Sequence, residues 1–420
     1  MTHGSRSDVT LRPFSREEFD AASGVVELAF FFSGHPEDRE VFAAGLEFDR
    51  SLGAFVAAAG AAGDRIVGTA AAYTFELTVP GATVPAAGVT VVTVHPTHRR
   101  RGVLSALMDR QLADLHEGGE PIAVLRASEA GIYGRFGYAT ASRELHLDFT
   151  RPAALFVPDA PRADGLVVEL EEPGSARAEL AGVYDALRPS RPGFIGRRET
   201  AWAELLHDPE HRRGGAGAAR ALLVRDGAGP RGYALYTVQQ RWSDGLPTGH
   251  VDVREMIATD AAAALALWRH VLDLDLTATA GAGGRPVDEP LLQLLADPRR
   301  ARARVKDGLW LRLVRVGEAL AARRYAAPVD LVLDVTDARC PWNARRWRLS
   351  GDADGATCEP STERADVRID TTALSAGYLG DPVLGGYLGT GRIGEERPGA
   401  VRQLATALGW TPGPWCPHHF

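Results

Sequence analysis

Lysine is nearly missing from this chain. Of 47 basic residues only Lys306 is a lysine, and the rest are arginine, a bias that reads as GC-rich coding rather than as chemistry. Cysteine is scarce as well: Cys340, Cys358 and Cys416 lie far apart and no C-x-x-C spacing occurs. That argues against a disulfide framework or a zinc site. No apolar run approaches the length that spans a bilayer, so no membrane segment is expected. The first residues, Met-Thr-His-Gly-Ser-Arg, contain no apolar stretch of the signal-peptide kind, which makes the cytoplasm the expected location. An excess of positive charge is absent too. The net charge of -7 argues against a general nucleic-acid binder, because neutralising phosphates takes a basic face. What remains is an ordinary globular composition, 45% hydrophobic and 24% charged, over 420 residues, enough for two or three domains.

One stretch, residues 91–108, organises the rest. Val91, Val92 and Val94 form a β-branched apolar run that reads as a buried strand, and Pro96 ends it. Arg99, Arg100, Arg101 and Gly102 follow, and then a helical pattern carried by Val103, Leu104, Leu107 and Met108. A strand that runs through a basic, glycine-containing turn into a helix N-terminus suits a phosphate. The turn exposes N–H groups, the helix dipole favours negative charge, and arginine forks match phosphate oxygens. The plain alternative is a solvated arginine cluster, but here the arginines sit on the turn itself.

This stretch, together with Leu125-Arg126-Ala127-Ser128-Glu129-Ala130-Gly131-Ile132-Tyr133-Gly134-Arg135-Phe136-Gly137-Tyr138 and a chain ending in phenylalanine, resembles the Eis (enhanced intracellular survival) family of GNAT N-acetyltransferases. Arg99 and Gly102 fit the family's acyl-CoA signature, whereas Leu104 stands where a small residue is usual. The resemblance implies an α/β (α+β) protein. Two tandem GNAT folds, with mixed and partly splayed sheets, would precede a C-terminal sterol-carrier-protein-like α+β domain.

In chain order, a strand at 9–12 is followed by a helix with a capping box from Ser15 to Glu18, running towards Phe30-Phe31-Phe32. Three successive phenylalanines cannot all face one core, so at least one is expected to line a cleft or interface, with simple core packing as the even alternative. Strands follow at 52–59, 66–77 and up to Val94, then the helix to about Glu117 and a strand at 122–126. The pattern then restarts: a strand at 166–170, helices at 176–187 and 202–206, strands at 221–224 and 233–238, and a helix at 261–272. Arg212-Arg213-Gly214-Gly215-Ala216-Gly217 also fits the phosphate-turn pattern, but a polar segment precedes it and a strand follows it. It reads as a surface loop, and the second unit as inactive towards acetyl-CoA. A third region opens at 309–313 and continues with a helix at 316–323, strands at 331–335 and 345–349, and a helix near 398–408. The expected domains are 1–155, 156–303 and 304–420.

The resemblance also implies the site. The backbone of Val92, Thr93 and Val94 would pair with the pantetheine of acetyl-CoA, the cosubstrate, where two strands splay. The turn Arg100, Arg101, Gly102, Val103, Leu104 and Ser105 would hold the pyrophosphate, with Ser128 and Glu129 also touching the cofactor. Tyr133 would be the general acid for the leaving thiolate and the α-carboxylate of Phe420 the general base, with no metal required. Tyr138 is left as core. The acceptor is expected to be an amine: aminoglycoside-like, polyamine, arylalkylamine or lysine. His418 and His419 take the place of acidic neighbours beside the terminal carboxylate and, if protonated, would repel a polycation. A homohexamer built as a trimer of dimers is implied as well. The rival reading is a non-catalytic acyl-CoA sensor or lipid-binding protein with a silent GNAT core.

Overall fold

A computed structural model of the chain describes residues 9–57, 63–150 and 156–420. The first 150 residues give β1 (Thr10–Arg12), α1 (Phe19–Phe30), α2 (Pro36–Gly45), β2 (Ser51–Ala57), β3 (Asp64–Val79), β4 (Ala82–Val94), α3 (Val103–Gly118), β5 (Ile122–Leu125), α4 (Ala130–Tyr133), β6 (Ala139–Thr140) and β7 (Arg143–Thr150). The expected strand at 52–59 ends at Ala57, and its last two residues lie outside the described set. The capping box is half realised. The Ser15 N–H donates to the Glu18 carboxylate at 3.0 Å, but the Ser15 hydroxyl turns to Glu17 and regular helix starts only at Phe19.

The next segment holds β8 (Val167–Glu171), α5 (Pro173–Leu187), α6 (Glu199–Leu206), β9 (Arg220–Asp226), β10 (Gly229–Gln239), the small hairpin β11 (Trp242–Ser243) and β12 (Leu246–Pro247), β13 (Gly249–Ala258), α7 (Ala261–Leu272), β14 (Thr277–Pro286), β15 (Arg304–Asp307) and β16 (Trp310–Leu313). The Arg212–Gly217 stretch is indeed a loop between α6 and β9. The last hundred residues add a five-stranded sheet that starts with Val329–Thr336, and packed helices that end with Ala400–Leu408.

The sheets cross the domain limits expected from sequence. The first sheet runs β1-β2-β3-β4-β5-β16-β6 and the second β15-β7-β14-β13-β10-β9-β8. Thus β16, expected to open the third domain, lies inside the first sheet, and β7, expected to close the first domain, lies inside the second. The physical reason is visible at the crossing. Lys306 pairs with Glu144 and Asp307 with Arg143, and beyond them Leu311 pairs with Ala139. One antiparallel ribbon therefore passes from sheet to sheet, pinned where the Gly308 N–H donates to the Ser142 carbonyl and the Leu309 N–H to the Ser142 hydroxyl, both at 2.9 Å. Every residue of β16 is buried, which demands a place inside a sheet rather than at an edge.

One apolar core runs from Phe14, just after β1, and Tyr73 and Phe75 of β3 through Leu313 and Val316 to Leu374 and Leu404 of the C-terminal region. Cys340, Cys358 and Cys416 are all buried and free. Among the described residues no helix is long and apolar enough to cross a membrane.

Candidate active site

Two irregularities in the first sheet create the site. Strands β4 and β5 run parallel and pair only over Ala86–Gly88 and Ile122–Val124, after which the β5-facing edge of β4 has no strand partner. Against β3 the register slips between Thr93 and Thr90, and Val91 in this bulge sits at φ 45°. A β-branched residue in the left-handed region costs about 1–3 kcal/mol, so surrounding contacts must hold it. Thr69 does so. Its hydroxyl lies 2.7 Å from the Val91 carbonyl and 2.6 Å from the Thr93 hydroxyl. The bulge turns the following backbone, Val92 to Val94, towards the opening.

After β4 the chain makes a turn of 3-10 helix (Pro96–His98) and reaches α3 through Arg100 at φ 62° and Gly102 at φ 81°. Gly102 is the N-cap of α3 and no side chain caps it, so the N–H groups of the first turn are not covered by a capping side chain. A cavity of about 630 Å³ opens here. Val92, Thr93, Val94, Arg100, Gly102, Val103, Leu104, Ser105, Ser128, Glu129 and Tyr133 all line it. Arg101 is the one expected cofactor residue absent from its wall, and Arg99 takes its place. Phe30 and Phe31 also line it, so the aromatic run does serve a cleft. Phe31 ends α1 at φ 58° with 84% of its surface exposed. The residues present suit an acyl-CoA: arginines and uncapped N–H groups at the phosphate end, and an unpaired strand edge along the arm.

Tyr133 ends the one-turn helix α4 and is buried, with its ring edge-on to Tyr138 at 6.1 Å between centroids. Burial, helped by the Glu129 charge, pushes its phenol up to about 12. Tyr138 is fully enclosed, with a hydroxyl that has no hydrogen-bond partner, in keeping with core.

The C-terminal tail is firmly docked. The Trp415 N–H donates to the Pro192 carbonyl at 2.8 Å and its indole N–H to the Gly284 carbonyl at 2.7 Å. Arg126, just beyond β5, donates to the carbonyls of Cys416 and His418, the latter at 3.1 Å, and pairs with Glu144 at 2.9 Å. Burial opposes ionisation of Glu144, yet the charge and hydrogen bonds of Arg126 hold its carboxyl below the usual range. The Phe420 ring packs edge-on against Phe75 at 5.0 Å and Tyr73 at 6.5 Å, and stacks on His418 at 5.9 Å. Tyr73 and Phe75 point to one face of β3, whereas Tyr133 packs with Ala72, Ala87 and Val89 on the other face. The pairing of β4 with β5 ends at Gly88, the residue opposite Tyr73 on β3. On the tail's side a second cavity, about 500 Å³, is lined by Arg197, Glu204, Glu255, Pro417, His418 and His419.

Comparison with known proteins agrees with this architecture. Residues 10–141 and 193–316 each match a model of an acetyltransferase (GNAT) domain, and residues 316–417 match a sterol carrier protein domain. A Streptomyces avermitilis protein named as an uncharacterized N-acetyltransferase is 44% identical, over 91% of this chain and 92% of its own. N-acetyltransferase Eis of Mycobacterium tuberculosis is 39% identical, over 82% of this chain and 84% of its own. The chain belongs to the Eis family of GNAT N-acetyltransferases. The crystal structure of Eis1 from Mycobacterium abscessus superposes on this Eis-family chain with a TM-score of 0.82 at 32% identity, covering 98% of this chain and 100% of Eis1. The chain is therefore an acetyltransferase with tandem GNAT folds and a sterol-carrier-like domain, and GNAT acetyltransferases use acetyl-CoA.

Within this Eis-family enzyme, the residue that the sequence pattern did not reveal is Arg126. Nothing local to residues 125–138 shows that the arginine at 126 will bind carbonyls some 290 residues away.

Proposed function

We propose that this enzyme transfers the acetyl group of acetyl-CoA directly to a primary amine, with Tyr133 as general acid and the Phe420 α-carboxylate as general base. The observation that carries this reading is the docked tail: it brings the chain terminus against Tyr73 and Phe75, on the face of the sheet opposite Tyr133 and beside the splay. A substrate amine arrives as ammonium and cannot attack a thioester until it loses a proton. The terminal carboxylate binds that cation and accepts the proton, directly or through water. Val92 and Val94 offer N–H groups to the arm and to the carbonyl that gains charge. The segment Arg100–Ser105, in which Arg101 alone does not line the cavity, holds the pyrophosphate, and Ser128 and Glu129 border it. Tyr133 protonates the departing thiolate.

The second GNAT unit, we infer, does not bind acetyl-CoA. The N-terminus of α7, the counterpart of α3, is capped by the Asp260 carboxylate, which accepts the Ala263 N–H at 2.9 Å. A negative group already occupies the place of a phosphate. The tail also packs here: the Trp415 indole donates to the Gly284 carbonyl of β14, and Trp415 and Pro417 narrow the space beside it to a cavity of about 210 Å³.

The acceptor class is read as a primary amine on an aminoglycoside-like, polyamine, arylalkylamine or lysine-bearing molecule. Burial holds His418 well below the usual imidazole range and His419 down to about 4. Both are neutral at pH 7, so they do not repel a cation. The hexamer remains an expectation, supported by the exposed Val167, Val168 and Leu170 on β8, the outer strand of the second sheet. The deciding experiment adds one glycine after Phe420. Turnover with a panel of these amines is expected to fall to background while acetyl-CoA binding, followed by calorimetry, is kept. An extended chain as active as the native one would remove the terminal carboxylate from the mechanism.

A further inference from the structure

The loop dismissed as a phosphate turn is preceded by His207-Asp208-Pro209-Glu210-His211, and the fold gives that segment a different neighbour. We propose that His35, Glu37 and His211 form a site for a zinc-class divalent cation, off the acetyl-transfer path, that ties α2 to the second GNAT unit.

One ligating atom from each of the three side chains lies within 4.8 Å of the other two. The His35 and His211 rings stack with centroids 3.9 Å apart and planes 22° from parallel. His35 is the N-cap of α2, and Pro36 behind it limits its backbone, while His211 belongs to the 3-10 turn Glu210–Arg212. The cluster therefore bridges two parts of the chain that are distant in sequence.

Asp38 gives the site its second observation. Its two carboxylate oxygens meet His211 Nε2 and His207 Nε2, each at 2.9 Å. A carboxylate that accepts from Nε2 fixes the proton there and leaves His211 Nδ1 with a free lone pair. This is how metal-binding histidines are commonly oriented by an outer carboxylate. Asp38 is thus a positioning residue, and His35, Glu37 and His211 are the ligands.

The donor set selects the ion. Two imidazoles and one carboxylate suit Zn²⁺ and its neighbours, whereas Mg²⁺ and Ca²⁺ prefer all-oxygen shells. Bonds of about 2.0–2.1 Å in tetrahedral geometry place ligand atoms roughly 3.3 Å apart. The three groups must close from at most 4.8 Å, and because an imidazole lone pair lies in the plane of its ring, the stacked His35 and His211 rings must also turn out of their stack to converge on one ion, rotations open to exposed side chains. Water fills the remaining position. A bound ion would also steady the chain between Phe31, a wall residue of the cofactor cavity, and α2.

The test uses the full-length chain, stripped with a chelator and titrated with Zn²⁺ by calorimetry in a non-chelating buffer. Saturable binding of about one equivalent per chain is expected. The double variant His35→Ala/His211→Ala is expected to lose that equivalent, and Glu37→Gln to weaken it. Asp38→Asn is expected to bind roughly 10–100-fold more weakly, since it removes only the orienting carboxylate. All four positions are on the surface or partly exposed, and circular dichroism checks that each variant is folded. No saturable binding by the native chain would overturn the proposal. So would an equivalent that survives in the folded double variant.

Discussion

A phenol serves as a proton donor only while it keeps its proton. Burial and the Glu129 charge push Tyr133 up to about 12, so it is protonated throughout the working range and can hydrogen-bond to the departing sulfur, but a phenol this weak gives up its proton only to a thiolate that is itself raised by desolvation. Tyr133→Phe keeps the ring against Tyr138 and removes only the donor. The expected outcome is a loss of ~10²-fold in kcat with an unchanged dissociation constant for acetyl-CoA, read by steady-state kinetics and calorimetry. Equal turnover would unseat Tyr133. Gly88 shows the opposite kind of control, by what it omits. A Cβ there would stand 2.0 Å from the Phe75 ring, the ring on which Phe420 rests. Gly88→Ala must therefore move Phe75, at a cost of about 1–3 kcal/mol for an overpacked core. Thermal denaturation is expected to show the lower stability, and kinetics a loss in kcat/KM for the amine.

Among the elements, the strand, basic turn and helix of the cofactor site were legible because each follows a local rule. Val91–Val94 has the apolar run of a buried strand, Gly102 the freedom for φ 81°, and Leu104, Leu107 and Met108 the helical spacing. The bulge was not legible. Val91 at φ 45° contradicts its own propensity and is imposed by Thr69, 22 residues earlier. Helix α2 escaped as well, since its mostly polar sequence buries only Ala43. The tail was legible as an ordered segment from its tryptophan and prolines, but its anchor was not. Removing that anchor tests how the tail is held. Arg126→Met leaves the buried Glu144 with only His146 beside it and deprives two tail carbonyls of a donor, a change expected to cost about 3 kcal/mol. Carboxypeptidase should then trim the chain end faster than in the native protein, and amine turnover should fall with it. An unchanged digestion rate would mean that Trp415 and Phe420 hold the tail by themselves.

At the scale of the molecule, the number of units could be read from the restarting pattern and their kinds from the family resemblance, whereas their borders could not. Strand exchange through β7 and β16 obeys nonlocal pairing, and no composition shift marks it. The consequence is that the catalytic sheet, the second sheet and the C-terminal region share contacts, with the tail crossing all three. Acidity should act on that joint. Burial, followed by the charges of Arg197 and Arg126, keeps His418 neutral in the docked tail, well below the usual imidazole value, and His419 is held down to about 4 by burial and Arg126. A released tail would take up these protons near pH ~6.5. The docked form therefore binds fewer protons, and its stability, complete above pH ~6.5, declines as the pH falls from there towards 4, by up to about tenfold per pH unit for each histidine. His419 is solvent-accessible and screened, so His418 carries most of this effect. His418→Phe keeps a ring stacked on Phe420 and cannot titrate. Profiles of kcat/KM from pH 4 to 8 are expected to show an acid limb in the native enzyme that moves to lower pH in His418→Phe, with acetyl-CoA affinity flat in both. Superimposable profiles would show that protonation of the tail has no part in the acid loss.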